Sequence, residues 1–278
     1  MSAMGCALAQ CAGVMQAHVE GKPTLPVQIA GAARAAVVAC DLAENGLNGP
    51  ESSLEGPYGY FAMFEDEANA ELSAKRLGKI HRITEVSWKP FPTGRAAQGG
   101  IVLVQKIMEQ GASFENVKQI TLLAPPIIPR LVERPIVDNM TANYARLCFP
   151  YLAPIALKRG TIGLRDFTPQ DLHDPEIRAF SKLVEVKTNH ITDPAEFVPQ
   201  TLTARLENGS ILEASIDTLF GSPSDPLTRE QHLEKFRNCL AFGLRDINAD
   251  DVGNRLIDLM EGIEELSDVS FIFELAVG

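Results

Sequence analysis

Aromatic side chains are scarce in this sequence, at 6% of 278 residues with one tryptophan. Basic residues are also short, 25 Lys and Arg against 36 Asp and Glu, and the net charge is −11. So acidic a chain is a poor match for a phosphate backbone, and no nucleic-acid partner is expected. No run reaches the roughly 18 consecutive apolar residues of a membrane span. The segment Met1 to Met15 lacks the basic start of a signal peptide. No membrane partner is therefore expected. The five cysteines, Cys6, Cys11, Cys40, Cys148 and Cys239, are scattered and form no C-x-x-C pair. Neither a disulfide framework nor a zinc site is therefore indicated, and a reducing, intracellular setting, cytoplasmic or mitochondrial, is expected. His18, His81, His173, His190 and His232 show neither H-x-x-x-H nor H-E-x-x-H spacing, so no metal site is expected. There is no G-x-S-x-G, no P-loop, and no G-x-G-x-x-G behind a strand.

What is present reads as an ordinary globular chain, 45% hydrophobic and 22% charged. Helical spacing runs from Gly5 to His18, with breaks at Gly21, Pro23 and Pro26. A second, Ala-rich helix is expected over Ala30 to Glu44, stopped by Asn45-Gly46. A loop follows from Asn48 to Tyr60. Ile80 to Trp88 alternates and reads as a strand ended by Pro90 and Pro92. A helix over Ala96 to Gln110 and a strand over Val117 to Ala124 complete a strand–helix–strand unit. Further helices are expected over Ala142 to Leu157 and Pro175 to Leu183, then a strand at Val184 to Thr188. Leu202 to Leu206 and Ile211 to Ile216 alternate around Asn208-Gly209, a hairpin signal. Thr228 to Gln231 has capping-box spacing ahead of a helix, and Asp250 to Glu264 is helical again. Helix, then mixed α/β, then helix describes a helical layer with an inserted domain at about 79–222.

One stretch departs from the acidic background. Lys75, Arg76, Lys79, Arg82, Lys89 and Arg95 are six cations with one acid, Glu85, among them. His81 adds a seventh candidate cation. The cluster reads either as a solvated basic face or as a site that neutralises and orients carboxylates. Lys89 stands out because Trp88 and Pro90 flank it at a strand end.

The segment Lys89-Pro-Phe-Pro-Thr-Gly-Arg-Ala-Ala-Gln98 resembles the K-P-[FY]-P-x-C-x-x-x-H signature of the MmgE/PrpD family of 2-methylcitrate dehydratases and cis-aconitate decarboxylases. Five further stretches resemble that family in the same order: Gly5 to Met15, Gln28 to Ala33, Leu54 to Phe61, Ala145 to Tyr151 and Gly221 to Phe236. The resemblance implies an α+β fold: a partial all-helical domain (1–78), an inserted α+β lid (79–222) and returning C-terminal helices (223–278) that pack on the helical part. It also implies that the lid closes over the helical part to exclude water. Family members begin with a longer helical segment, so a chain without it is expected to be a truncated non-catalytic paralogue, one subunit of a split enzyme, or an incomplete stretch of an ordinary lyase.

For chemistry, the resemblance implies removal of water or carbon dioxide from citrate-like di- and tricarboxylates, with no cofactor and no metal. A 2-methylcitrate dehydratase-type hydro-lyase is the first expectation and a cis-aconitate-type decarboxylase the alternative. Lys89 is the expected catalytic residue. Arg95, Gln98, Tyr151 and Gln28 are the expected substrate-binding residues. Tyr151 reads equally well as a buried core tyrosine, and Cys148 reads as core. Two departures weaken the machinery: the family's pocket Lys falls on Leu25, and the signature Cys and His become Gly94 and Gln98. Neither Leu25 nor Gln98 can shuttle a proton, so the isolated chain is expected to be silent or severely impaired. The expected partners are a small anionic carboxylic acid and, for the apolar helices, a second copy of the chain or another chain.

Overall fold

The computed structural model describes residues 1–20, 22, 24–65, 75, 77–245 and 248–277. Gly21, Pro23 and Arg76, singled out above, lie outside the described residues. The chain divides into two compact units, Met1–Thr84 and Glu85–Gly278. Helices and a small mixed sheet make it an α+β protein.

The first unit holds α1 (Ser2–Leu8), α2 (Gln16–Val19), α3 (Leu25–Glu44) and α4 (Tyr60–Phe64). The helix expected over Gly5 to His18 ends at Leu8. The Gln28 side chain explains the break: its Oε1 accepts from Val14 N–H at 2.8 Å and its Nε2 donates to Val14 O at 3.1 Å. Val14 thus bonds across to α3, not back along a helix, and Gly13 beside it takes φ +143. α3 starts five residues before the expected Ala30, because Pro26 sits in its first turn, where a missing N–H costs nothing. Asn45-Gly46 ends it as expected, with Gly46 at φ +89. Of the 20 residues of α3 only Ala39 is buried. By length and composition alone this helix is apolar enough to cross a membrane, with a mean hydropathy of 1.4. Counting consecutive apolar residues hid that, since Arg34 interrupts the run.

The second unit is built on a four-stranded sheet, β1 (Val117–Ala124), β2 (Val184–Thr188), β3 (Gln200–Leu206) and β4 (Ile211–Ile216), in the order β2-β1-β3-β4. β1 runs parallel to β2 and antiparallel to β3; β3 and β4 form the hairpin. Its turn is a three-residue loop: Leu206 N–H reaches Ser210 O at 2.8 Å, and Gly209 takes φ +87. Asn208 keeps a negative φ and accepts from Ser210 N–H, so only the glycine is left-handed.

Alternation sets one face of the sheet inward. Ile120, Leu122 and Ala124 of β1 and Leu202 and Ala204 of β3 are fully buried. Thr121, Thr203 and Glu213 lie on the wet face. α5 (Arg95–Glu109) covers β3 and β4, and packs on α6 (Ile127–Val132). The helix expected over Ala142 to Leu157 is two, α7 (Ala142–Ala145) and α8 (Phe149–Arg159). Cys148 is the extended N-cap of α8, and Pro150 sits in that helix's first turn, where a missing N–H costs nothing. α8 packs on α5 and β2. Each large side chain in this layer contributes about 1.5–3 kcal/mol by leaving water.

α9 (Pro169–Leu172) and α10 (Pro175–Phe180) lead into β2, and α11 (Arg229–Gly243), α12 (Ala249–Glu261) and α13 (Ser270–Val277) follow the hairpin. The capping box is present, with Thr228 and Gln231 exchanging both bonds. α13 is the one described C-terminal helix that the sequence reading does not place.

The strand expected over Ile80 to Trp88 is absent. Arg82–Glu85 is a 3-10 turn, and Ile83, Val86 and Trp88 are 77%, 50% and 57% exposed. Alternation alone does not make a strand: this segment has no neighbouring strand among the described residues, and its apolar face meets water.

Candidate functional site

Lys89 lies in the irregular segment between the 3-10 turn and α5. Pro90 and Pro92 fix two φ angles and carry no N–H. That leaves Trp88, Lys89, Phe91, Thr93 and Gly94 as backbone donors. Trp88 N–H donates to Gly221 O at 2.7 Å, Thr93 N–H to Phe91 O at 2.8 Å, and Gly94 N–H to Arg146 O at 3.0 Å. Phe91 N–H donates to Gln98 Oε1 at 3.2 Å. Lys89 itself is exposed. An irregular loop is thus tied down at both ends while its lysine stands in solvent.

Gln98, in the first turns of α5, is 1% exposed. Its Nε2 donates to Thr93 Oγ1 at 2.6 Å and to Phe91 O at 3.1 Å. With Oε1 on Phe91 N–H, the amide is taken up by the loop. On the other side, Gly221 takes φ +84, and a Cβ there would fall 2.1 Å from Trp88 O. Thr93 and Gly221 therefore belong to the lysine loop's support, although the sequence reading assigned them no role. Their place inside matched motifs was the available signal.

Arg95 opens α5 and is half-buried. Its Nη2 donates to Ser87 Oγ at 3.0 Å. Its Nη1 is buried with no hydrogen-bond partner among the described residues. Burial lowers its pKa from the ordinary arginine value. A half-buried guanidinium is a group suited to a carboxylate, although the Nη1 atom itself is closed to a ligand. Lys89, Arg95 and Gln98 thus share one loop–helix junction.

Tyr151 is elsewhere, on α8 and fully buried. Its hydroxyl donates to Asp166 O at 2.8 Å, and burial raises its pKa. Cys148 is buried as well, its thiol pushed up to about 12 by burial. Both side chains sit in the core cluster.

In the first unit, Gln28 lines a cavity of about 660 Å³ together with Gln10, Cys11, Arg34, Tyr60 and Phe64. Its amide holds the loop at Val14, so the polar groups facing that space include Arg34 and Tyr60, which sequence reasoning did not single out. A cavity of about 410 Å³ in the second unit is lined by Pro90 and Phe91 of the lysine loop and by Gln231 and Lys235 of α11. Among the described residues no three of His, Cys, Asp and Glu gather where one metal ion could hold them.

Residues 1–73 match the MmgE/PrpD N-terminal domain and residues 91–252 the MmgE/PrpD C-terminal domain. The chain belongs to the MmgE/PrpD family. It is similar to cis-aconitate decarboxylase of Mus musculus, 27% identical over 267 residues, which is 92% of this chain and 52% of that protein. It is similar also to cis-aconitate decarboxylase of Homo sapiens, 26% identical over 273 residues, 92% of this chain and 53% of that protein. The chain thus spans about half the length of the curated relatives it matches.

Proposed function

We propose that this chain acts in a cofactor-independent lyase reaction on a citrate-like di- or tricarboxylic acid. The observation that carries the reading is Lys89: an exposed ammonium on a braced loop, with the half-buried Arg95 guanidinium on the adjoining helix turn. Family membership and relatives named cis-aconitate decarboxylase support the substrate class. Dehydration of a 2-methylcitrate-type acid and decarboxylation of a cis-aconitate-type acid fit these residues equally.

Both reactions build negative charge beside a carboxylate. In dehydration a base takes the proton next to the carboxylate and hydroxide leaves from the neighbouring carbon. In decarboxylation a C–C bond breaks, carbon dioxide leaves, and the electron pair stays on carbon until a proton reaches it. Lys89 and Arg95 hold carboxylates and offset that charge. Leu25 and Gln98 supply no proton transfer. That pair of substitutions favours a second reading, a paralogue that binds the acid without turning it over.

The test uses the whole chain with citrate, 2-methylcitrate and cis-aconitate. Calorimetry reads binding, carbon dioxide release reads decarboxylation, and ultraviolet absorbance of a new C=C bond reads dehydration. Lys89→Met is expected to weaken binding or turnover by about 10²-fold. Binding without turnover selects the second reading. No binding of any of the three acids, or full binding by the variant, defeats both.

A further inference from the structure

We propose that Gln98 is a positioning residue, which sets the place of Lys89 by clamping the loop that carries it and does not itself touch the substrate. This rests on the reading of Lys89 as the carboxylate-binding cation. The clamp follows from the hydrogen-bond geometry. Both N–H groups of the Gln98 amide are used, one on Thr93 Oγ1 at 2.6 Å and one on Phe91 O at 3.1 Å, and the carbonyl receives Phe91 N–H. At 1% exposure the side chain has no open approach for a ligand.

The clamp also has a rigid foundation. Gln98 belongs to α5, whose buried residues include Ile101, Leu103, Val104 and Ile107, all at 0% exposure. The loop it grips contains two prolines and is pinned again at Trp88 by Gly221. Lys89 lies between the Gly221 pin and the Gln98 clamp. A cation held in this way meets a carboxylate without first losing loop freedom, and displacement by about 1 Å is enough to weaken such a site.

Trp88, the chain's one tryptophan, adjoins Lys89 and meets the His232 ring edge-on at 5.0 Å. Its fluorescence therefore reports the loop directly, with or without ligand. The variants are Gln98→Ala, the nearly isosteric Thr93→Val, which removes one acceptor of the clamp, and Thr93→Ser, which retains it. Three quantities are read at one pH: acrylamide quenching of Trp88, citrate and cis-aconitate affinity by calorimetry, and melting temperature. Gln98→Ala and Thr93→Val are expected to raise the quenching rate and weaken carboxylate affinity about 10-fold. Thr93→Ser is expected to keep the native values. If Gln98→Ala does not fold, the Thr93 pair decides alone.

A lowered melting temperature with native quenching and native affinity would show an amide that only stabilises the core, and would overturn the proposal. If the native chain binds neither acid, the carboxylate reading of Lys89 fails. Quenching then still decides the clamp, because an unchanged Trp88 in both disrupting variants removes it and an increase in both supports it.

Discussion

Two apolar helices, one on either side of residue 84, use their side chains differently. α3 has 20 residues and buries one, Ala39; Val27, Ile29 and Val37 are 67%, 67% and 63% exposed. α5 has 15 residues and buries nine. Both are built largely of apolar residues, α3 with seven Ala and three Val, α5 with two each of Ala, Gly, Val and Ile. The difference lies in what they meet. α5 has a sheet whose inward face offers Leu122, Leu202 and Ala214, whereas the described residues of the first unit hold α1 on α3 and little else. Burial is thus a property of the partner surface as much as of the helix. The loop that carries Lys89 is anchored to the helix that has such a partner.

The largest expected contrast comes from truncating an apolar side chain in each unit. Leu122→Ala in β1 removes a fully buried side chain and is expected to cost about 2–5 kcal/mol. Val37→Ala in α3 is expected to stay within about 0.5 kcal/mol. Urea unfolding of both variants measures this. A large loss at Val37 would show that α3 is buried in solution and would break the comparison.

A sharper version gives the same substitution opposite signs. Gly100 of α5 lies under the Phe149 ring, and a Cβ there would come within 2.4 Å of it. Gly100→Ala is expected to destabilise by about 1–3 kcal/mol. Gly31 of α3 has nothing within 4 Å of the same position. Gly31→Ala is expected to stabilise by roughly 0.5–1 kcal/mol, through helix propensity alone. Shifts of the same sign in both melting curves would mean that the two helices are not differently packed.

The same distinction separates what the sequence disclosed from what it did not. The second unit's strands, hairpin and capping box were legible because their signals are local or have a partner with matching alternation. Ile80 to Trp88 had the alternation and lacked the partner. The helix over Gly5 to His18 had the spacing, but one amide 14 residues away from Val14 redirected its backbone. The site divides similarly. Lys89 and Arg95 were singled out from charge and motif. The direction of Gln98 was not legible, since a glutamine in a helix's first turns points into solvent or back over the preceding loop depending on whether that loop folds beneath it. Two prolines immediately before the helix were the hint that it would.

Tyr151 tests one choice that the sequence left open. Its hydroxyl reaches a backbone carbonyl inside the core, so Tyr151→Phe is expected to cost about 1 kcal/mol of stability. Carboxylate affinity should not move. An unaltered melting curve with lost affinity would place the hydroxyl on the substrate.

The smallest expected effect concerns acid, and it belongs to the second unit. Arg159 at the end of α8 is paired with both Asp166 and Asp171. Lys158 donates to Asp174 at 3.1 Å and Glu176 at 2.6 Å. Burial works to raise the Asp171 pKa, but the Thr168 hydroxyl and the Arg159 guanidinium outweigh it, and the net shift is downward. Asp174 behaves alike: burial opposes, while Lys158 and the N–H groups of Glu176 and Ile177 prevail. A carboxyl lowered in the folded state contributes stability that is complete above its unfolded pKa of about 4 and is lost as pH falls below it. Stability should therefore be flat through neutral pH as far as these groups are concerned and decline in the acid range. The partners are partly solvated, so the contribution is expected to be under about 1 kcal/mol. Trp88 lies in this unit and reports its unfolding. Urea midpoints read on Trp88 at neutral pH and below about pH 4 should differ less for Asp171→Asn than for the native chain. Identical acid limbs would show that the Arg159 network is electrostatically idle and that the second unit's advantage is packing alone.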